Sequence, residues 1–218
     1  MNRFVLWQLA DSAFPTGGFA HAGGLEAAVQ LGAATGAEGL KRFAEEAIWS
    51  AAGFGLPFVS AAHGQPAGLA ALDRRCDAFT PSHVANRASR AQGEALLRAG
   101  AAAFGGPVAE LEAYARRERL PCHLAPVHGA VAARLGVELH DARRLYLFLQ
   151  LRGIVSASVR LGLVGPLEAQ GLQARLAVVA EAAAQGEDAA AEDAAQTTPL
   201  IDLYQGHQDR LYSRLFRS

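Results

Sequence analysis

Lysine is almost missing from this chain: of 20 basic residues in 218, Lys41 alone is a lysine. That scarcity excludes chemistry. A phosphate-cradling loop, G-x-x-x-x-G-K-[ST], needs its lysine on the β- and γ-phosphates. Gly18 to Gly23 has the glycine spacing, but Gly24 and Leu25 follow. Schiff-base catalysis would rest on Lys41, within an ordinary amphipathic pattern. Cysteine is scarce too. Cys76 and Cys122 lie far apart, form no C-x-x-C, and suggest no disulfide framework. The seven histidines (His21, His63, His83, His123, His128, His140, His207) include no H-x-x-x-H or H-x-x-E-H pair. His123 and His128, five apart, match a helical turn poorly, so no resident metal is expected. There is no G-x-S-x-G elbow, and Cys122 and His123, adjacent on a helix, would point apart. No catalytic residue is assigned.

Charge of one sign is also lacking. A net charge of −1 gives no global field toward nucleic acid or an anionic membrane. The start, "MNRFVLWQLADSAFP", has no full apolar run with a cleavage site. The most apolar stretch, Leu145 to Val164, is interrupted by Arg152 and Arg160, which suits a buried core helix better than a membrane span. The expected location is the cytoplasm.

What is present is alanine and leucine. Apolar residues make up 51% of the chain and aromatics 7%, a helix-forming composition. "NRFVLWQLA" predicts a helix ending before Pro15, and "LEAAVQLG" a second. Thr35 to Glu38 reads as a capping box ahead of Leu40, Phe43, Ala44, Ala47, Ile48 and Ala51 at helical spacing. Gly53, Gly55 and Pro57 predict a break there. Further helices are expected over 66–79, from "TPSHV" to Ala103, around Val108 to Tyr114, and in "APVHGAVAARLG". "DARRLYLFLQLRGIVSASVRLGLVG" predicts the core helix, and Pro166 opens the next. The class is all-α: a helical body over 1–185 with about eight to ten helices, an acidic flexible linker over 186–198, and a tail over 199–218.

Two segments stand out. "FPTGGFAHAGGLE" (14–26) packs four glycines around His21; Gly17, Gly18, Gly23 and Gly24 permit positive φ and close backbone approach. It is either a tight interhelical turn or a surface offered to a partner. The tail restores an apolar stripe after the acidic linker: Leu200, Leu203, Tyr204, Leu211, Leu215 and Phe216. It either folds onto its own body or orders on a partner. Arg214, flanked by Tyr212 and Phe216, has the composition of an interface hot spot.

"LWQLADSAFPTGGFAHAGGLEAAVQLG" resembles the N-terminal signature of the UreF family of urease accessory proteins, approximately L-Q-L-x-S-x-x-P-x-G-x-F-x-Y-S-x-G-L-E. "NRASRAQGEALLR" is similar to its R-x-Q-G-x-A-L-L segment. "FLQLRGIVSASVRLGLVGPLEAQ" resembles its V-S-A-A-V-R-L-G core helix with G-P-x-x-A-Q, and "PLIDLYQGHQDRLYSRLFRS" its ending. The blocks run in order from residue 4 to 218. Departures occur: His21 stands where tyrosine is usual, and Gly206 and Gln208 where many relatives have arginine and glutamate.

The resemblance implies an all-helical, non-enzymatic homodimer. It would bind the D- or H-type urease accessory protein, through it apo-urease, and the G-type GTPase that carries nickel. No cofactor is implied, nickel being cargo passed through the complex. The implied partner-binding residues are Pro15, Gly17, Gly18, Phe19, His21, Gly24 and Glu26 in the loop, Arg160, and Leu203, Tyr204, His207, Tyr212, Arg214, Leu215 and Phe216 in the tail. Arg160 is expected either to be neutralised internally, with Glu26 as a candidate, or to face the dimer or GTPase. Two alternatives stand beside this: a helical small-molecule enzyme with a site near the glycine loop, and an independent nickel carrier.

Overall fold

A computed structural model describes residues 3–218. Ten α-helices and three short 3₁₀ turns make up the regular structure of the described residues, without a strand. In order these are α1 (Arg3–Ala10), α2 (Leu25–Gln30), α3 (Gly36–Gly64), α4 (Leu69–Ala78), α5 (His83–Phe104), α6 (Gly106–Arg117), α7 (Leu124–Arg134), α8 (Leu139–Arg160), α9 (Pro166–Ala184) and α10 (Pro199–His207). Asn2, expected at the start of the first helix, lies outside the described residues. No described helix is long and apolar enough to cross a membrane.

The long helix α3 packs on α7, α8 and α9, while α5 packs on α6 and α7. One core gathers Leu25, Leu40, Ile48, Leu147, Leu151 and Leu176; a second gathers Leu69, Leu97, Val108, Leu111 and Val131. Backbone contact sets the helix spacing. A Cβ on Gly129 would stand 2.1 Å from the Val59 carbonyl oxygen, and one on Gly93 2.0 Å from that of Cys122. Gly93 is the glycine of the "AQG" block.

The break expected at Gly53, Gly55 and Pro57 is absent: α3 runs through all three. A proline inside a helix deprives the carbonyl four residues earlier of its donor. That carbonyl belongs to Gly53, and the Ala195 N–H donates to it at 3.3 Å. Gly55 makes room for Tyr146, whose hydroxyl would lie 2.4 Å from an added Cβ. The residues that look like breakers serve close approach. Thr35 does precede α3, but its side chain makes no cap bond; Ser82 caps α5 by accepting from the Ala85 N–H.

Residues 186–198 form no helix and lie along the body. Buried Arg143 donates to the Ala184 and Gly186 carbonyls and to Asp188, as well as to Ser60. Arg75 pairs with Glu192, and Ala191 is buried.

The titratable groups of the interior serve structure. Asp73 accepts from the N–H groups of Cys122 and His123 at 2.7 and 2.6 Å. His123 also contacts Asp77 and Ser89. The Cys122 backbone sits at φ 63°, a conformation costly for a non-glycine residue, and Asp73 holds it there. Burial pushes the Cys122 thiol up to about 11 and Cys76 higher still, so neither is a reactive thiolate at neutral pH.

His128 donates from Nε2 to the Ala142 carbonyl and stacks edge-on against Tyr146. Its burial lowers the ring pKa to about 4. A folded-state value below the unfolded 6.5 means that the unfolded chain binds more protons. The stability from neutral His128 is therefore complete above pH 6.5 and lost as pH falls toward 4. Between pH 7 and pH 5 the chain should lose about 1–2 kcal/mol from this residue. Denaturant unfolding at both pH values checks it: His128→Gln should reduce the pH dependence by about that amount.

Candidate interaction face at the glycine loop and the tail

The glycine loop follows Phe14, which is buried and stacks with Phe104. Gly17, Gly23 and Gly24 have φ of 73°, 60° and 90°, conformations that favour glycine. Gly18 does not: it opens a 3₁₀ turn with ordinary φ. At Gly24 there is a second constraint, because a Cβ would come within 3.1 Å of the Gln205 backbone nitrogen. The loop is built to let α10 approach.

The tail completes that approach. Its Arg217 N–H donates to the Ala20 carbonyl at 2.8 Å, and the Ala22 N–H to the Ser218 carbonyl at 2.5 Å. Gln205 Nε2 reaches the Gly23 carbonyl, and Gln30 Nε2 the Ser213 carbonyl. Glu26, 3% exposed, is the centre of the join. Its Oε1 accepts from the Leu215 N–H at 2.6 Å; its Oε2 accepts from the Phe216 N–H at 3.0 Å and from Gln208 Nε2 at 2.6 Å. Charge-assisted bonds of this kind are the strong ones. Gln208 also donates to the Phe216 carbonyl, and its own buried Oε1 has no partner among the described residues.

Glu26 is therefore not the counter-ion of Arg160. Arg160 lies at the exposed last turn of α8, donates to the Phe19 carbonyl, and places its guanidinium 4.3 Å from the Phe216 ring centroid. Every Glu26 acceptor bond goes to the tail, and the arginine caps the join from outside.

A second anchor lies on α5. Asp209 accepts two bonds from Arg87, at 3.0 and 3.1 Å, one from Arg214 at 2.8 Å, and contacts His83 at 3.2 Å. Arg87, with smaller contributions from His83 and Arg214, holds the Asp209 carboxyl below its usual range. His21 faces Ser218 Oγ at 2.7 Å. Burial above all, then Arg217 and Arg87, lowers its pKa to about 4, so the ring is neutral at physiological pH.

The structure thus brings the glycine loop and the tail together. Glu26, Gly24 and Phe216 are buried in the join. Tyr204 and His207 are half-buried, Tyr204 with its ring 6.4 Å from that of Phe43. Pro15, Phe19, Leu203, Tyr212, Arg214 and Leu215 face outward, Phe19 at 75% and Tyr212 at full exposure. Sequence reasoning did not assign Gln208, Asp209, Arg87 or Gln30 to this site. The one available signal was that Gln208 departs from the family pattern. Among the described residues, no three His, Cys, Asp or Glu side chains are placed to hold a metal ion.

The UreF family model matches residues 34–177. Along nearly the whole chain the sequence is similar to urease accessory protein F of Oryza sativa subsp. indica, with 37% identity covering 99% of this chain and 86% of that protein. The namesake from Arabidopsis thaliana is 38% identical over 97% and 91%. Urease accessory protein UreF of Mycobacterium tuberculosis (strain ATCC 25177 / H37Ra) is 32% identical over 95% of each chain. The chain belongs to the UreF family. The UreF model spans the region from just before α3 into α9, the helical body. The glycine loop and the tail lie outside it, and the full-length relatives extend the match across both.

Proposed function

We propose that this UreF-family chain serves urease maturation as a non-enzymatic scaffold. Its loop–tail face docks the D- or H-type accessory protein, and the homodimeric assembly recruits the G-type GTPase, so that nickel passes into apo-urease in the cytoplasm. The GTP chemistry belongs to the partner, since Gly24 and Leu25, and no lysine, directly follow Gly23 in the glycine loop. One observation carries the reading. The Glu26 clasp joins the glycine loop and the tail into one face, from which Phe19, Tyr212, Arg214 and Leu215 project. Exposed aromatics and arginine on a pre-ordered backbone are the composition of a protein interface. Pre-ordering lowers the entropic cost of binding.

Co-expression with the D/H-type partner, followed by size-exclusion chromatography with light scattering, tests it. A stable complex with two copies of each chain is expected; separate peaks would overturn the docking assignment. Tyr212→Ala sharpens the test, because a fully exposed ring contributes nothing to the isolated fold. It should weaken partner binding about tenfold or more, as for an interface hot spot, with the unfolding temperature unchanged. Arg214→Ala should act in the same direction, since the guanidinium is exposed and its ion pair with Asp209 is a surface one.

A further inference from the structure

Behind the glycine loop lies a cavity of about 570 Å³ that reaches inward between α3, α5, α7 and α8. Its volume is that of a small-molecule site. Protein interiors are close-packed, and elsewhere this fold brings helices together until backbones touch at Gly93 and Gly129. Here the walls are instead short, with Ala51, Ala88, Ala125 and Gly153 among larger residues such as Phe54 and Leu145. Gly153 shows the space directly: a Cβ there would meet nothing within 4 Å.

The polar groups on the wall define what fits. Tyr146 lines the cavity, is 8% exposed, and its hydroxyl makes no hydrogen bond to any described residue. Burial keeps the phenol protonated, raising its pKa above the ordinary value. His128, also on the wall, is neutral at physiological pH and commits Nε2 to Ala142. Arg152 is the one arginine on the wall; its Nη1 donates to the Ala10 carbonyl and its guanidinium lies over the face of Phe148, both neutral partners, so its positive charge stays at the wall. Asp202 is the one side-chain carboxylate, and it has no cationic partner among the described residues. The side chains of the wall thus carry one positive and one negative charge, with no net charge to draw in an ion of either sign, and an ion that entered would shed its hydration at a cost. An apolar body with one hydrogen-bonding group finds alanine, leucine and phenylalanine, the unpaired Tyr146 hydroxyl, and uncharged serine, threonine and glutamine side chains among them.

We infer that this cavity is a binding site for an uncharged, largely apolar organic molecule that offers one hydrogen-bonding group to Tyr146. The lining also includes Gly17, Gly18, Phe19 and His21 of the loop; the inference does not rest on the proposed docking, and the probes are titrated into the unbound chain.

The full chain can be titrated with N-phenyl-1-naphthylamine, which is neutral, and with 1-anilinonaphthalene-8-sulfonate, which carries the same ring system plus a negative charge. Saturable binding of one neutral probe per chain is expected, with the anionic probe at least tenfold weaker. Gly153→Phe should fill the space and abolish binding, with helicity retained by circular dichroism. Gly153→Ala should leave binding within about twofold, and Tyr146→Phe should weaken it severalfold without closing the cavity. Non-saturating uptake, equal affinity for both probes, or unchanged binding in folded Gly153→Phe would each overturn the site. Should Gly153→Phe fail to fold, the Tyr146→Phe arm decides: no loss of affinity removes the assigned polar contact. Complex formation with the D/H-type partner, measured on the same variants, separates failure here from failure of the scaffold reading.

Discussion

Glu26→Ala should release residues 208–218 from the body. The substitution removes one buried carboxylate and with it the acceptor for Leu215 N–H, Phe216 N–H and Gln208 Nε2. Bonds to a charged group contribute about 1.5–3 kcal/mol each, and donors left buried and unpaired cost more than an absent contact. The tail cannot remain docked with those donors unsatisfied. Amide hydrogen exchange over residues 208–218 should quicken at least 100-fold, while α3, α7 and α8 keep their protection. The variant should weaken binding of the D/H-type partner, because its docking face would have to be reassembled on binding. Unchanged exchange in the tail of Glu26→Ala would show that Asp209 and the Ala20–Ser218 pairing suffice to hold it.

Gly129→Ala is expected to be strongly destabilising although it adds a single methyl group. The new Cβ would lie 2.1 Å from the Val59 carbonyl oxygen and 2.9 Å from its carbon, and that neighbour is backbone in the middle of α3. No rotamer change relieves such a clash, so α7 must move away from α3. Overpacking costs typically 1–3 kcal/mol and occasionally more; two helix backbones in contact place this case at about 3 kcal/mol or above. For a chain of this length, that lowers the unfolding temperature by roughly 6–12 °C. Gly93→Ala should behave alike, pressing on the Cys122 carbonyl that Asp73 holds in place. Gly153→Ala is the control: the same chemistry where nothing lies within 4 Å should be neutral or slightly stabilising, as alanine favours the helix. Thermal unfolding of the three variants side by side tests the contrast. A small shift in Gly129→Ala would mean that the α3–α7 crossing is less rigid than its geometry implies.

Much of the fold was legible because helix signals are local. Ser82 before α5, Pro166 at the start of α9 and the apolar spacing from Leu40 to Ala51 each act within a few residues, and each marks a helix in the structure. The same locality misled at Gly53, Gly55 and Pro57. Read alone, two glycines and a proline end a helix; in place, they admit Ala195 and Tyr146, which lie 142 and 91 residues away in the chain. At the candidate site, composition pointed to the glycine loop and to the tail as separate segments. It also suggested Glu26 as a partner for Arg160. Whether a buried carboxylate meets a guanidinium or three N–H and amide donors depends on which segment is laid across it, and sequence spacing has no access to that.

The sequence by itself determined the all-α class, the family, and the absence of a lysine to serve a phosphate loop. These follow from residue type and short-range order: propensity, capping, periodicity and motif. Only the tertiary structure decided that the first signature and the last form one face, that Gln208 donates to Glu26, and that a cavity opens behind the loop. Each of these depends on distances between residues far apart in the chain. They are set by the close contacts at Gly93 and Gly129, and by where buried polar groups find partners, conditions that exist only once the helices have packed.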